Sequence, residues 1–147
     1  PSILEELGLE STIDWYLSTV EKQLGIRVSY DRSGVAAPID ATVGIHVYRV
    51  LQEALSNVAR HSGSDHAAVR LRINPGRLEL EIEDHGKGLT PNVGRQGLGL
   101  VAMRERAEIV KGTLEITRPP AGGTLVRLTV PLDSAVASAP ALRTIAS

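Results

Sequence analysis

The segment Arg77–Asp84 constrains the fold more than any other part of this 147-residue chain. Its residues alternate between apolar and polar, which predicts a β-strand with one buried face. Leu78, Leu80 and Ile82 share that face, and Asp84 has the same parity. A carboxylate at the end of an apolar face is costly unless it meets a hydrogen-bond donor. The exocyclic amine of an adenine would be such a donor, and its ring would suit the apolar walls.

Composition limits the remaining possibilities. With 42% hydrophobic residues the chain can bury a core as a single domain, and with no Phe and one Trp that core must be aliphatic. A net charge of −1 argues against a broad basic surface for nucleic acid or an anionic membrane. The absence of cysteine excludes disulfides and thiolate metal sites, and it fits a cytoplasmic protein. No apolar run approaches the roughly 20 residues that span a bilayer. Because the chain starts at Pro1, we expect it to be a fragment of a longer protein.

Hydrophobic periodicity predicts the order helix, strand, helix, hairpin, helix, hairpin. The predicted helices are near 11–24, 40–62 and 98–111, with Gly112 as the stop of the third. The predicted strands are 26–30, 69–73, 77–84, 114–116 and 125–130, with a loop near 34–38. This order favours an α/β fold, a two-layer sandwich with helices on one face of a mixed, largely antiparallel sheet. We expect a linker at 1–10, one domain at 11–132 and an Ala/Ser-rich tail at 133–147.

The longest predicted helix carries polar residues on one face. Glu53, Asn57 and His61 are spaced four residues apart, and Arg60 lies beside them. An acid, an amide and a cation in a row suit an ATP–Mg²⁺ complex, because Mg²⁺ prefers oxygen ligands and Arg pairs with phosphate. The plainer interpretation is a solvated face of an amphipathic helix, which would be favoured for these residues taken alone.

Two pairs of glycines follow the polar helix in the sequence, one directly after Asp84 and one before the third predicted helix. Gly86 and Gly88 follow Asp84, and Gly97 and Gly99 precede the third predicted helix, where backbone N–H groups attract anions. Gly86 and Gly88 could be ordinary turn residues, whereas a turn would need only one of Gly97 and Gly99. The ordered occurrence of the polar helix face and both glycine pairs favours a nucleotide pocket.

Taken together, the three segments resemble the N box and the two glycine boxes of the GHKL ATPase superfamily, which includes gyrase, heat-shock chaperones, histidine kinases and MutL. More narrowly, the runs 52–61 and 97–107 are similar to those of the nitrate-response class of bacterial sensor histidine kinases. The resemblance covers about residues 1–132. It implies the ATP-binding fold of that superfamily and the catalytic domain of a protein-histidine kinase that uses ATP and Mg²⁺.

The resemblance also implies roles for individual residues. Asp84 would bind the adenine amine, Asn57 would hold Mg²⁺, and Glu53 would activate the nucleophile and could share the metal. Arg60 and His61 would approach the phosphates or the ribose. The stretch 89–96 would form a lid over the nucleotide. Further positions would contact ATP through the glycine boxes and a late Gly-Thr element: Gly86, Gly88, Gly97, Leu98, Gly99, Leu100 and Thr124.

Some features depart from the family pattern. Ala102 stands where this class usually has glycine, and Lys111-Gly112 replaces a usual Gly-Gly ending. The chain has four histidines, and none is followed by an acid as the family's phosphoacceptor is. The resemblance therefore implies that the histidine lies on a dimerisation domain of the same parent protein, with a response regulator as the final acceptor. An anti-sigma-type serine kinase or a non-catalytic nucleotide-binding module of the same fold remain alternatives.

Overall fold

Three α-helices and five β-strands make up the parts of the chain that the computed structural model describes, which are residues 2–35, 38–87 and 99–132. The helices are α1 (Ser2–Leu24), α2 (Ala41–Asn57) and α3 (Leu100–Ile109), and α2 continues as a π-helix, Val58–Ser62. The strands are β1 (Arg27–Gly34), β2 (His66–Asn74), β3 (Arg77–Asp84), β4 (Thr113–Thr117) and β5 (Thr124–Pro131). The predicted lid at 89–96 and the predicted tail at 133–147 lie outside the described residues.

The five strands form one sheet in the order β1-β2-β3-β5-β4. Strands β1 and β2 are parallel, and every other neighbouring pair is antiparallel. Alternate residues of β2, β3 and β5 are buried beneath the helices, while the other face of the sheet is charged. The predicted two-layer sandwich with a mixed, largely antiparallel sheet is therefore confirmed.

Helix α2 lies at the centre of the helical layer, between α1 and α3. It begins at a side-chain cap, in which the Oδ1 atom of Asp40 accepts the N–H of Thr42 at 2.7 Å. Its buried stripe supplies much of the aliphatic core, through Val47, Val50, Leu51, Ala54 and Leu55. The predicted extent of this helix is confirmed, but its last turn is wider than an α-helix.

Helix α1 begins at Ser2, earlier than the predicted start near residue 11. Gly8, with a φ of +86°, interrupts it. Leu4 is nevertheless buried, and one of its methyl groups lies against Gly44 of α2. Residues 3–10 therefore pack on the domain through Leu4 and Leu9, and the role of 1–10 as a linker stays a prediction.

Helix α3 ends at Ile109, slightly before the predicted end at Lys111, and Gly112 follows as the predicted stop. The positive φ that often ends a helix is at Lys111, 59°, and Gly112 is needed for another reason. A Cβ atom on Gly112 would lie 2.6 Å from the carbonyl oxygen of Thr129 on β5. The glycine thus allows the chain to approach the sheet closely as it leaves the helix.

Ion pairs run across the solvent-facing side of the sheet. Glu81 lies between Arg70 of β2 and Arg127 of β5, with N–O distances of 2.8 and 2.7 Å. Arg70 also binds Glu83 at 2.7 Å. Burial raises the pKa of Glu81, but the hydrogen bonds and charges of both arginines outweigh it and hold that pKa below its usual 4.5.

Replacing Glu81 with Gln is expected to reduce the free energy of unfolding at pH 7 by about 1–2 kcal/mol, because two charged hydrogen bonds are lost. A lowered carboxyl pKa stabilises the fold above the unfolded-state pKa and ceases to do so as the pH falls through the folded-state value. The difference between wild type and Glu81→Gln should therefore shrink below about pH 4. Denaturant titrations of both proteins at pH 7 and pH 3 would measure this difference in the free energy of unfolding.

Glu105→Gln is the matched control, because Glu105 is exposed on α3 and no described ion pair includes it. Its substitution should change the unfolding free energy little at either pH. Equal effects of the two variants at pH 7 would contradict a stabilising role for the ion pairs of Glu81.

Candidate nucleotide-binding site

Asp84 ends strand β3 with a buried carboxylate, only 3% exposed. It lies opposite Thr124, the first residue of β5. Its Oδ1 atom accepts the backbone N–H of Gly86 at 2.8 Å. Burial raises the pKa of Asp84 above its usual 3.8, although backbone hydrogen bonds from Gly86 and Thr124 and the nearby charge of His85 oppose the rise. The carboxylate is thus held at a cost where a ligand could use it.

A small cavity opens beside this carboxylate, between the sheet and helices α2 and α3. Its apolar walls come from both layers: Ala54, Val58, Ile82, Met103 and Val126. Its polar groups are Asn57, Ser62, Asp84 and Thr124. Apolar walls with a few buried polar groups are typical of small-molecule sites, but at about 20 Å³ this cavity admits a flat heteroaromatic ring only if its walls move apart.

The turn after Asp84 packs against the π-helix. The backbone N–H of Lys87 donates to the carbonyl oxygen of Ser62 at 2.8 Å, and the Ser62 hydroxyl donates to the Val58 carbonyl at 2.7 Å. A Cβ atom on Gly86 would lie 2.0 Å from the Ser62 carbonyl oxygen. Only glycine fits this contact, which fixes the turn against the end of the helix.

A second close approach lies on the other side of Asp84. Gly123 has a φ of +86°, and a Cβ atom there would lie 2.0 Å from the Asp84 carbonyl oxygen. This contact sets the position of Thr124, whose side chain is buried in the cavity wall. Gly86 and Gly123 therefore hold in place the two segments beside the carboxylate, which are the turn after β3 and the start of β5.

The polar face of α2 continues beyond the cavity. The Oε2 atom of Glu53 lies 3.3 Å from the Nη2 atom of Arg60. Gly99, with a φ of +69°, brings the start of α3 so close to Glu53 that a Cβ atom would lie 2.5 Å from its carboxyl carbon. The Nε2 atom of His61 is buried without a hydrogen-bond partner among the described residues. Glu53 therefore faces the start of α3, with Arg60 of the π-helix beside it.

The structure therefore gathers most of the predicted site residues. Asn57, Asp84 and Thr124 line one cavity, and Gly86 closes its edge. Glu53 faces Gly99, and Leu100 is the first residue of α3. Gly88, Gly97 and Leu98 lie outside the described residues. The nucleotide contacts of all these positions stay predictions.

Sequence reasoning missed several residues of the cavity. Met103 forms one wall of the cavity. Ser62 also lines it, and Gly123 allows the close approach that positions Thr124. The Gly-Gly pair immediately before Thr124 was the one local signal for Gly123, since a turn needs no second glycine.

The donors near the cavity suit one kind of metal site. In the described parts of the chain, no three His, Asp or Glu side chains are grouped to hold a metal ion. Asn57 offers an amide oxygen, and Glu53 offers a carboxylate one helical turn away. Such a set fits Mg²⁺ that takes most of its ligands from phosphates and water.

The sequence matches a family of known ATPases. A family described as "Histidine kinase-, DNA gyrase B-, and HSP90-like ATPase" matches residues 42–134, which include both the polar face of α2 and Asp84. The chain belongs to this family. ATP is accordingly the nucleotide of the family site, and the predicted resemblance to catalytic domains of sensor histidine kinases is confirmed.

Curated relatives of this domain are sensor kinases. The oxygen sensor histidine kinase NreB of Staphylococcus carnosus is 38% identical over 134 residues, which cover 90% of this chain and 39% of the relative. The signal transduction histidine-protein kinase/phosphatase DegS of Brevibacillus brevis is 33% identical over 132 residues, or 89% of this chain and 34% of the relative. The chain thus spans between one third and two fifths of the length of these two relatives.

Solved structures share the fold. The histidine kinase domain of a blue-light activated kinase from Erythrobacter litoralis gives a TM-score of 0.67 at 21% identity, covering 84% of this chain and 61% of that one. The ATP-binding domain of PrrB from Mycobacterium tuberculosis gives 0.55 at 22% identity, covering 80% and 91%. Full-length ShkA in complex with AMPPNP gives 0.64 at 17% identity, covering 84% and 29%.

No helix within residues 2–35, 38–87 and 99–132 is long and apolar enough to cross a bilayer.

Replacing Asp84 with Asn is expected to weaken ATP binding by about tenfold to a hundredfold, because a charged hydrogen bond to the adenine amine is lost. The free energy of unfolding without nucleotide should stay the same or rise, since a buried charge is removed. Calorimetric titration with ATP and denaturant unfolding would measure the two effects. Unchanged ATP affinity would show that Asp84 does not bind the base.

Replacing Gly86 with Ala is expected to weaken ATP binding and to destabilise the fold by about 1–3 kcal/mol, because the new methyl group would overlap the Ser62 carbonyl. Lys87→Ala is the control. It removes an exposed side chain but keeps the hydrogen bond from the backbone N–H of residue 87 to the Ser62 carbonyl. Thermal melts with and without ATP would compare them. Equal melting temperatures and equal ATP-induced shifts would contradict the close contact.

Proposed function

We propose that this chain binds ATP with Mg²⁺ and transfers the γ-phosphoryl group to a histidine on a separate dimerisation domain, for relay to a response regulator. The observation that carries the proposal is the shared cavity of Asn57 and Asp84, with Glu53 one helical turn beyond Asn57. The names of the curated relatives, which are histidine kinases, support it.

The base would occupy the cavity at the end of β3. The Asp84 carboxylate would accept a hydrogen bond from the adenine amine, and Met103 and Ile82 would lie against the ring. The free energy cost of removing water from the Asp84 carboxylate is already met in the free protein. A ligand that donates a hydrogen bond to this carboxylate therefore binds more tightly than one that must first displace its water. This arrangement would favour adenine over a base that lacks an amine at that position.

The triphosphate would then run along α2 toward Glu53. Asn57 would hold Mg²⁺ with the phosphates, and the bound ion would offset negative charge on the transferring group. Arg60 and His61 would donate hydrogen bonds to phosphate or ribose oxygens. The backbone N–H groups at the start of α3, beginning with Gly99 and Leu100, would bind phosphate from the other side.

Glu53 would orient the incoming nucleophile or accept its proton. In the structure its carboxylate lies 3.3 Å from the Arg60 guanidinium. A phosphate that binds Arg60 would draw this side chain from Glu53 and leave the carboxylate available to the acceptor histidine. Positioning and charge neutralisation would thus supply most of the rate enhancement.

The acceptor would come from another domain of the same parent protein. We assign residues 1–10 to the connection with that domain, 11–132 to the catalytic unit and 133–147 to a tail. We expect the domain to act in the cytoplasm, where ATP and response regulators meet. The direct test is to mix the chain with radiolabelled ATP, Mg²⁺ and the dimerisation domain, and to follow the label.

Transfer of the label to the dimerisation domain in an acid-labile form would support a phosphohistidine product. An acid-stable label would instead support the serine kinase alternative. ATP binding without transfer to any acceptor would leave only a nucleotide-binding module, and the proposal would be wrong.

Replacing Asn57 with Ala is expected to lower the rate of this transfer by about a hundredfold or more, because Mg²⁺ and the γ-phosphoryl group are no longer held in position. The Mg²⁺-dependent part of ATP affinity should be lost as well. Titrations with and without Mg²⁺, beside the labelling rate, would measure both effects.

Asn74→Ala is the control, because Asn74 lies at the end of β2 in the hairpin with β3 and not in the cavity. It should label the acceptor at the wild-type rate. An Asn57→Ala variant with wild-type labelling would exclude Asn57 as the metal ligand.

A further inference from the structure

Helices α2 and α3 pack with opposite directions and leave a groove between them. The start of α3 at Gly99 lies against Glu53, and farther along α3 the Nη1 atom of Arg106 donates to the Nδ1 atom of His46 at 3.2 Å. The groove between these two contacts has a volume of about 380 Å³ and opens to solvent. Six of its residues matter here: Arg49, Glu53, Arg60, Ala102, Met103 and Arg106.

The groove carries unbalanced positive charge. Of its three arginines, Arg60 pairs with Glu53. Arg49 donates to the neutral Gln52 at 2.9 Å, and Arg106 donates to His46. Among the described residues, no carboxylate lies within ion-pair distance of Arg49 or Arg106, whereas the arginines on the outer face of the sheet are paired with acids. This excess stands out in a chain of net charge −1.

The groove begins at the phosphate end of the nucleotide site, at Glu53 and Arg60, and extends past it to Arg49 and Arg106. The cavity for the base is at the end of α2 that carries Asn57. Arg49 is eight residues earlier on the helix, about 12 Å along its axis. Met103 forms part of both the cavity wall and the groove, so the two sites adjoin. A group that approaches the γ-phosphoryl past Glu53 would pass over the groove.

We propose that Arg49 and Arg106 bind an acidic segment of the phosphoacceptor domain and so dock that domain beside the nucleotide site. This inference rests on the proposed function and names how its partner is recognised. A guanidinium binds a carboxylate through two parallel N–H groups, so two such groups fix both the position and the orientation of a segment. The distance of Arg49 from Asn57 favours this partner over the triphosphate itself.

The test supplies the dimerisation domain of the same parent protein as a separate chain, with ATP and Mg²⁺. In the variant Arg49→Gln/Arg106→Gln, the KM for the dimerisation domain is expected to rise about tenfold or more, because charge attraction across the interface is lost. The maximal labelling rate and the Kd for ATP should change less than twofold. Added salt should raise the wild-type KM and have little effect on the variant.

Arg77→Gln is the matched control, because it removes one exposed arginine at the start of β3, outside the groove. It should leave the KM for the dimerisation domain unchanged. A second double variant, Arg49→Glu/Arg106→Glu, should raise the KM further than the Gln pair through repulsion. Its thermal melt would verify that the fold is retained.

The outcomes separate this inference from the proposed function. A wild-type chain that labels the acceptor, beside a Gln variant with unchanged acceptor KM, would overturn the inference alone. A Gln variant with weakened ATP affinity would assign the two arginines to the nucleotide and also overturn it. A wild-type chain that binds ATP but labels no acceptor would overturn both.

Discussion

The buried carboxylate of Asp84 is the group on which the organisation of the site depends. Its burial raises its pKa and makes it costly in the free protein. The surrounding backbone offsets part of this cost through N–H groups, and it can do so because Gly86 and Gly123 allow main chains to approach closely on both sides. The π-helix Val58–Ser62, which meets the Gly86 turn, belongs to the same arrangement. Close main-chain packing at this edge of the sheet thus holds the carboxylate in place.

The regular elements were predictable where one face of the element is buried and the pattern is long. The bounds of β3 match the prediction because its alternation has period two and ends at a charged residue. The start of α1 was mispredicted for a tertiary reason. Leu4 is buried only because Gly44 of a later helix leaves space for it, and the close approach of Gly112 to β5 likewise depends on tertiary packing.

The candidate site was predictable in its polar residues and not in its walls. Spacing of four along one helix indicates that Glu53 and Asn57 share a face, since neighbouring turns of a helix lie side by side. No spacing indicates that Met103 and Val126 line the same cavity, because they come together only when α3 packs on the sheet. The π-helix was equally hidden, since one wider turn leaves the hydrophobic period almost unchanged.

The single parallel pair in the sheet, β1 with β2, has a consequence for how such chains can vary in length. Parallel neighbours need a long crossover, and here α2 is that crossover. Glu53 therefore sits on a segment whose two ends are both fixed by adjacent strands. An insertion or deletion within α2 itself would therefore displace Glu53 relative to Asp84, because each added residue advances and rotates the helix.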